Sequence, residues 1–293
     1  GLWLDSGNVG DWTIADNPAV APARTPARGS QRFGLCRATE PANRFYIEGY
    51  THQLRANGVR LLKFDNVQLS CSNPDHEHLP GEYSTEPIAN ALIEFYRSLD
   101  REGPDVFIML YWYYLSPWWL QYADTVFDVG MHMEGASFSP YPALNARDSV
   151  TRRLDRGRWM LKDWPALGWD TLGIWLSDWP WNSRIGKAAW PGGVIMDISR
   201  GHLLAQLWSD TAYLSPDERR QMADFIALLK ARPECFRNSR FILGNPWKDE
   251  PYGYCCTDGK RAFLAINNGV WQDSTLTLQL NSAWGLADGQ RWK

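Results

Sequence analysis

The chain has 293 residues, 44% of them hydrophobic and 22% charged, with a formal net charge of −3. It can bury a core of ordinary size and offers no general attraction to nucleic acid or to anionic lipid. No apolar run reaches the roughly 18 residues of a membrane span and no secretory leader opens the chain, so a soluble protein with a neutral, soluble partner is expected.

Taken in order, residues 1–7 read as a buried strand ending in Asp5, followed by a Gly/Asn/Asp turn cluster. The strand pattern starts with no lead-in, as if sequence preceded it. Residues 15–32, rich in Ala, Pro and Arg without periodicity, read as an irregular loop, and 33–36 as a short strand. Over 43–57 the rings and apolar side chains of Phe45, Tyr46, Tyr50 and Leu54 fall near helical spacing, and Asn57-Gly58 supplies the stop. The run 59–65 is nearly continuous in apolar residues, as in a strand buried on both faces, and closes on Lys63, Asp65 and Asn66. In a parallel α/β barrel the carboxyl ends of strands carry the chemistry, so polar residues there are candidates. The plainer alternative has Asp65 capping a turn with Lys63 as its surface partner.

Beyond that strand lies the polar loop 70–83, then an amphipathic helix over 85–101 with Ile88, Leu92, Phe95, Tyr96 and Leu99 on one face. Strands are expected at 106–113 and 123–130, helix and loop at 146–170, and strands again at 171–179 and 194–198, ending in Asp178 and Asp197. The helix 215–230 has a capping box, Ser215 with Glu218, and Pro216 at its first position. After Arg261 the pattern alternates as in antiparallel hairpins, in AFLAINN and STLTLQLN. Strands alternating with helices point to βα units.

The load of 17 Trp, 12 Tyr and 11 Phe suits a sugar-binding mouth, since flat rings match the apolar faces of sugars. Trp112 and Trp119 are the candidate stacking rings, although core filling is the ordinary role of any single Trp. Five cysteines are an odd number in a chain too long to need a disulfide framework, and no zinc spacing of Cys and His is present. In the segment Asp75-His76-Glu77-His78 the two imidazoles could share one side of an extended chain and chelate a divalent ion. No distant third ligand can be named, so the loop is read as solvated and no metal or cofactor is expected. A Ser/His/Asp triad lacks a nucleophile elbow, and Gly192-Gly193 is too short for a phosphate loop.

The strands GLWLDSG, FGLC and LLKFDN, the SPWWL segment running into YADTVFDVG, and the late PYGY before a β-rich tail together resemble the catalytic region of retaining α-galactosidase-like glycoside hydrolases (the melibiase clan, family 36). The resemblance implies a (β/α)8 TIM-type barrel over 1–240, lacking its first strand, followed by the start of an antiparallel β domain over 241–293. It implies that Asp65, at the end of the fourth barrel strand, is the nucleophile, that Lys63 binds a sugar hydroxyl, and that Asp5 binds substrate. For the acid/base the sixth strand offers DVGMHMEG, and the choice falls on Asp128, Glu134 or neither. Lys63, two residues from Asp65 on a strand, shares its face, and its charge favours the ionised carboxylate that attack requires. The acid needs a drier, aromatic surrounding that keeps its proton. The implied activity is release of terminal α-galactosyl or α-N-acetylgalactosaminyl groups from an oligosaccharide or glycoconjugate. A catalytically silent carbohydrate-binding relative and a transglycosylase are the alternatives.

Overall fold

The computed structural model describes residues 1–5, 8–9, 11–26, 33–65, 67–111, 114, 116–127, 153–160, 162, 169–170, 174–175, 190–201, 207–208, 212, 214–268 and 272–289. The chain divides into two compact units, Gly1–Phe127 and Asp128–Lys293.

The first unit is built on parallel strands β1 (Leu2–Asp5), β5 (Leu61–Asp65), β6 (Phe107–Leu110) and β7 (Thr125–Phe127), paired in that order. Between β1 and β5 the chain makes an excursion through β2 (Asn8–Val9), α1 (Asp11–Asp16), a 3-10 segment (Pro18–Ala23), β3 (Arg24–Pro26) and β4 (Phe33–Leu35). β4 pairs antiparallel with both β2 and β3, forming a small separate sheet. This corrects two expectations. Residues 15–32 were expected to be irregular, yet those described carry helical turns and a strand, because three- to six-residue elements are too short to show a period. The FGLC segment is not a member of the parallel sheet either. β1 pairs directly with β5, Asp5 in register with Asp65, so no strand separates them.

Helices α2 (Glu40–Asn57) and α3 (Thr85–Glu102) pack together beside this sheet. α2 ends where the sequence indicates, at Gly58 in the left-handed conformation (φ 63°), which a Cβ would disfavour. α3 buries all five residues of its expected apolar face. Phe64 of β5 packs between the helices, its ring centroid 5.4 Å from Tyr50, 5.3 Å from Phe95 and 5.6 Å from Tyr96. Burying such a ring contributes about 1.5–3 kcal/mol.

In the second unit, α4 (Arg153–Met160) is followed by the short strands β8 (Trp169–Asp170) and β9 (Ile174–Trp175), then α5 (Trp190–Ser199), and β10 (Leu207–Trp208), which pairs in parallel with β9. Next come α6 (Pro216–Ala231) and α7 (Pro233–Arg237). β11 (Ser239–Leu243), β12 (Tyr252–Thr257) and β13 (Ala262–Asn267) close the unit as an antiparallel sheet in that order. The capping box at Ser215 and Glu218 forms as expected. The run 194–198, expected as a strand, is the second half of α5: a short apolar run fits a buried strand and a buried helix equally, and here helical i,i+3 spacing lets Arg200 reach Asp197. Ala262–Asn267 is the expected hairpin strand, whereas residues 274–281 join no ladder among the described residues. β12 is buried throughout. A side chain at Gly253 would strike the backbone oxygen of Ala265, so β12 and β13 approach only with glycine there.

Candidate active site

Strand alternation sets the chemistry of β5. Phe64 faces the helices, so Lys63 and Asp65 project from the opposite face. Both are buried, each 5% exposed. Asp65 stands at the carboxyl end of the strand, where a parallel sheet presents its functional side chains. Burial of Lys63 removes the surface lysine of the plainer alternative.

Next to them stands Tyr111, just beyond β6. Its N–H donates to the Phe64 carbonyl (2.8 Å), which carries the sheet pairing one residue past the strand. The Lys63 ammonium lies over the Tyr111 ring, 3.6 Å from its centroid, a cation–π contact made in a dry surrounding. Nothing local in the sequence separates Tyr111 from the other rings of YWYY. Its position opposite Lys63 follows from sheet register, Lys63 being paired with Met109. Residues two apart share a face, so Met109 and Tyr111 lie on the side of Lys63.

Of the other expected site residues, Asp5 occupies the position on β1 in register with Asp65. Trp119 lies in the 3-10 turn Pro117–Gln121 and is 7% exposed. Its ring makes edge contacts with Tyr96, Tyr114, Trp118 and Tyr122, and the ring open to solvent is that of Trp118, 44% exposed. Trp112, Asp128, Glu134 and Asp178 lie outside the described residues.

Asp197, expected to end a strand, instead sits in a buried ion cluster of the second unit. Arg200 reaches Asp155 Oδ1 through Nε (2.7 Å) and Asp197 Oδ1 through Nη1 (2.8 Å). Tyr252 and Tyr254 also donate to Asp155, at 2.7 and 2.6 Å. One guanidinium thus serves two carboxylates, and burial pushes the Asp197 carboxyl up to about 6 despite the pull of Arg200. A folded-state value above the unfolded one means that the folded unit holds the proton more tightly. This contribution is present at low pH and is lost as pH rises through 6. Asp197→Asn, which keeps the acceptor oxygen, is expected to gain up to about 3 kcal/mol on wild type between about pH 4 and pH 7. Urea unfolding of both proteins across that range checks this, and a pH-independent difference would refute the assignment.

No protein-family model and no curated protein matches the sequence. Solved structures do match. An AgaA variant, a GH36 α-galactosidase from Geobacillus stearothermophilus in complex with raffinose, aligns with a TM-score of 0.63 at 14% identity, over 91% of this chain and 36% of that one. AgaB from the same organism gives 0.59 at 14%, over 89% and 35%. The galactosidase domain of the α-galactosidase-sucrose kinase AgaSK gives 0.58 at 15%, over 88% and 33%. The chain therefore spans about a third of the length of the proteins it resembles. A parallel sheet ending in buried Lys63 and Asp65, and an antiparallel sheet after it, are parts of a chain that over about nine-tenths of its length has the fold of the GH36 α-galactosidases.

Proposed function

We propose that this chain is the catalytic region of a retaining α-glycoside hydrolase that releases terminal α-galactosyl, or α-N-acetylgalactosaminyl, groups by double displacement. The parallel strands are part of a (β/α)8 barrel. The observation that carries the proposal is the buried Lys63-x-Asp65 pair on the face of β5 turned away from the helices, at the strand's carboxyl end. An Asp65 oxygen attacks the anomeric carbon as the glycosidic C–O bond breaks, and the departing oxygen takes a proton from the acid, Glu134 or Asp128. Water then attacks the same carbon, giving its proton to that residue and freeing Asp65. Lys63, fixed over Tyr111, favours the ionised nucleophile and donates to a sugar hydroxyl. Asp5 and the ring of Trp112 complete the sugar site, whereas Trp119, buried among Tyr96, Tyr114, Trp118 and Tyr122, fills core. The structural relatives AgaA were solved with raffinose and stachyose, and an α-galactosyl oligosaccharide of that kind is the substrate class for this chain.

The direct test uses a 2-fluoro galactosyl fluoride, whose leaving group needs little acid assistance. Peptide mapping is expected to find the sugar on Asp65 after loss of fluoride. A chain that binds α-galactosides yet forms no adduct would be a silent carbohydrate-binding relative. Transfer of galactose to added sugars in preference to water would mark a transglycosylase.

A further inference from the structure

The loop that follows β5 folds back over the small β2–β4–β3 sheet and is tied to it at several points. Gln68 donates to the Pro26 carbonyl (3.0 Å) and Asn73 to that of Arg24 (2.9 Å). Cys71 receives anchoring of its own: its N–H donates to Ser84 Oγ (2.7 Å) and its carbonyl accepts from the Gly81 N–H (2.7 Å). Across from it Cys36, just past β4, donates its N–H to the Ala23 carbonyl (2.8 Å). These ties bring two buried cysteines, distant in sequence, against His76 and His78.

One donor atom from each of the four residues lies within 4.8 Å of all the others. Cys36 Sγ is 3.1 Å from His78 Nε2, and Cys71 Sγ is 3.2 Å from His76 Nδ1. Tetrahedral bonding at about 2.3 Å to sulfur and 2.0–2.1 Å to nitrogen puts donor atoms roughly 3.4–3.8 Å apart, so a small inward or outward adjustment suffices. The outer nitrogen of each ring meets a backbone carbonyl, His76 Nε2 that of Pro22 (3.0 Å) and His78 Nδ1 that of Leu79 (3.0 Å). The Asn73 amide nitrogen, which donates to the Arg24 carbonyl, also lies 3.1 Å from His76 Nε2, as a neighbour and not as the acceptor of its proton. Asp75 and Glu77, on the same loop, are exposed.

We propose that Cys36, Cys71, His76 and His78 hold one zinc ion in a closed structural site that clamps the loop after the Asp65 strand onto the β2–β4–β3 sheet. Two thiolates and two neutral imidazoles are a donor set that suits zinc. They also cancel its charge, so the buried centre carries none. Because a carbonyl only accepts, the outer ring nitrogens carry the protons and the inner ones keep a lone pair for the ion, the arrangement in which an outer-shell carbonyl orients a metal-bound histidine. Four protein ligands leave no position for substrate, so the ion has a structural role and the proposal stands independently of the glycosidase reading. The competing accounts are two thiol–imidazole hydrogen bonds without metal, and a Cys36–Cys71 disulfide.

The chain purified from zinc-supplemented cells without chelator is expected to contain one zinc per molecule by elemental analysis. Cys36→Ser and Cys71→Ser should lose most of it, while Cys235→Ser, in the second unit, keeps it. Replacing zinc with cobalt reads the ligands without any substitution: a tetrahedral thiolate site gives intense visible bands and a near-ultraviolet sulfur-to-cobalt transition. His78→Cys should retain the metal and strengthen that transition. Chelation should lower the Tm by roughly 10 °C, with recovery on adding zinc back. Metal-free protein whose Tm ignores both chelator and zinc would establish the hydrogen-bonded account and overturn the site. Thiol titration that finds Cys36 and Cys71 oxidised together would overturn it in favour of the disulfide.

Discussion

Asp65→Ala is expected to lower turnover of an aryl α-galactoside by at least about a thousandfold, since removing a nucleophile abolishes the covalent route and leaves only binding and positioning. Asp65 is 5% exposed at the end of β5. Asp65→Asn, nearly identical in volume, controls for loss of packing and should be equally inactive. A chemical readout separates a missing nucleophile from a damaged fold. Azide entering the space left in Asp65→Ala can attack the anomeric carbon directly, restoring turnover and producing the β-configured galactosyl azide. Near-normal hydrolysis by either variant would remove Asp65 from the mechanism, whatever else the fold suggests.

Arg200→Met is expected to destabilise the second unit by about 3–5 kcal/mol, the cost of leaving buried carboxylates without their counter-ion. Asp155 is 0% exposed, Arg200 1% and Asp197 4%, so water cannot replace the lost guanidinium. The Tyr252 and Tyr254 hydroxyls, already donating to Asp155, cannot supply charge. The cluster ties α4 and α5 to β12, and the same centre packs Val194, Met196 and Ile198 against Tyr252 and Tyr254. Combining Arg200→Met with Asp197→Asn and Asp155→Asn should recover part of the loss, because the penalty lies in unpaired charge more than in missing contact. Urea unfolding followed by a probe in the second unit measures both, and a loss below about 1 kcal/mol would show that the cluster is solvated in solution.

Much of the candidate site is written locally. The apolar run closing on Lys63 and Asp65 specifies a strand with two buried faces, and alternation alone sets Phe64 toward the helices and the two charged residues away from them. The His76 and His78 pair was legible too, as two imidazoles on one side of an extended loop, but Tyr111 and the two cysteines were not. Cys36 and Cys71 belong to different segments, and only the Cys36 N–H bond to the Ala23 carbonyl and the Asn73 and Gln68 side-chain bonds of the loop to the Arg24 and Pro26 carbonyls bring their sulfurs toward His76 and His78. A spacing rule detects ligands that one turn or hairpin delivers, and these arrive from two.

By itself the sequence determined what depends on near neighbours along the chain: the faces of α3, the glycine stop of α2, the capping box of α6, the Lys-x-Asp order and the alternation of strands with helices. Tertiary structure alone decided that β4 joins a side sheet while β1 lies against β5, that the run after Gly193 is helix, and that two cysteines meet two histidines. The reason is physical. Local signals arise from dihedral preference and period and are complete within a few residues, whereas pairing partners, and helix or strand in a short apolar run, are chosen by burial and hydrogen-bond satisfaction that only distant segments provide.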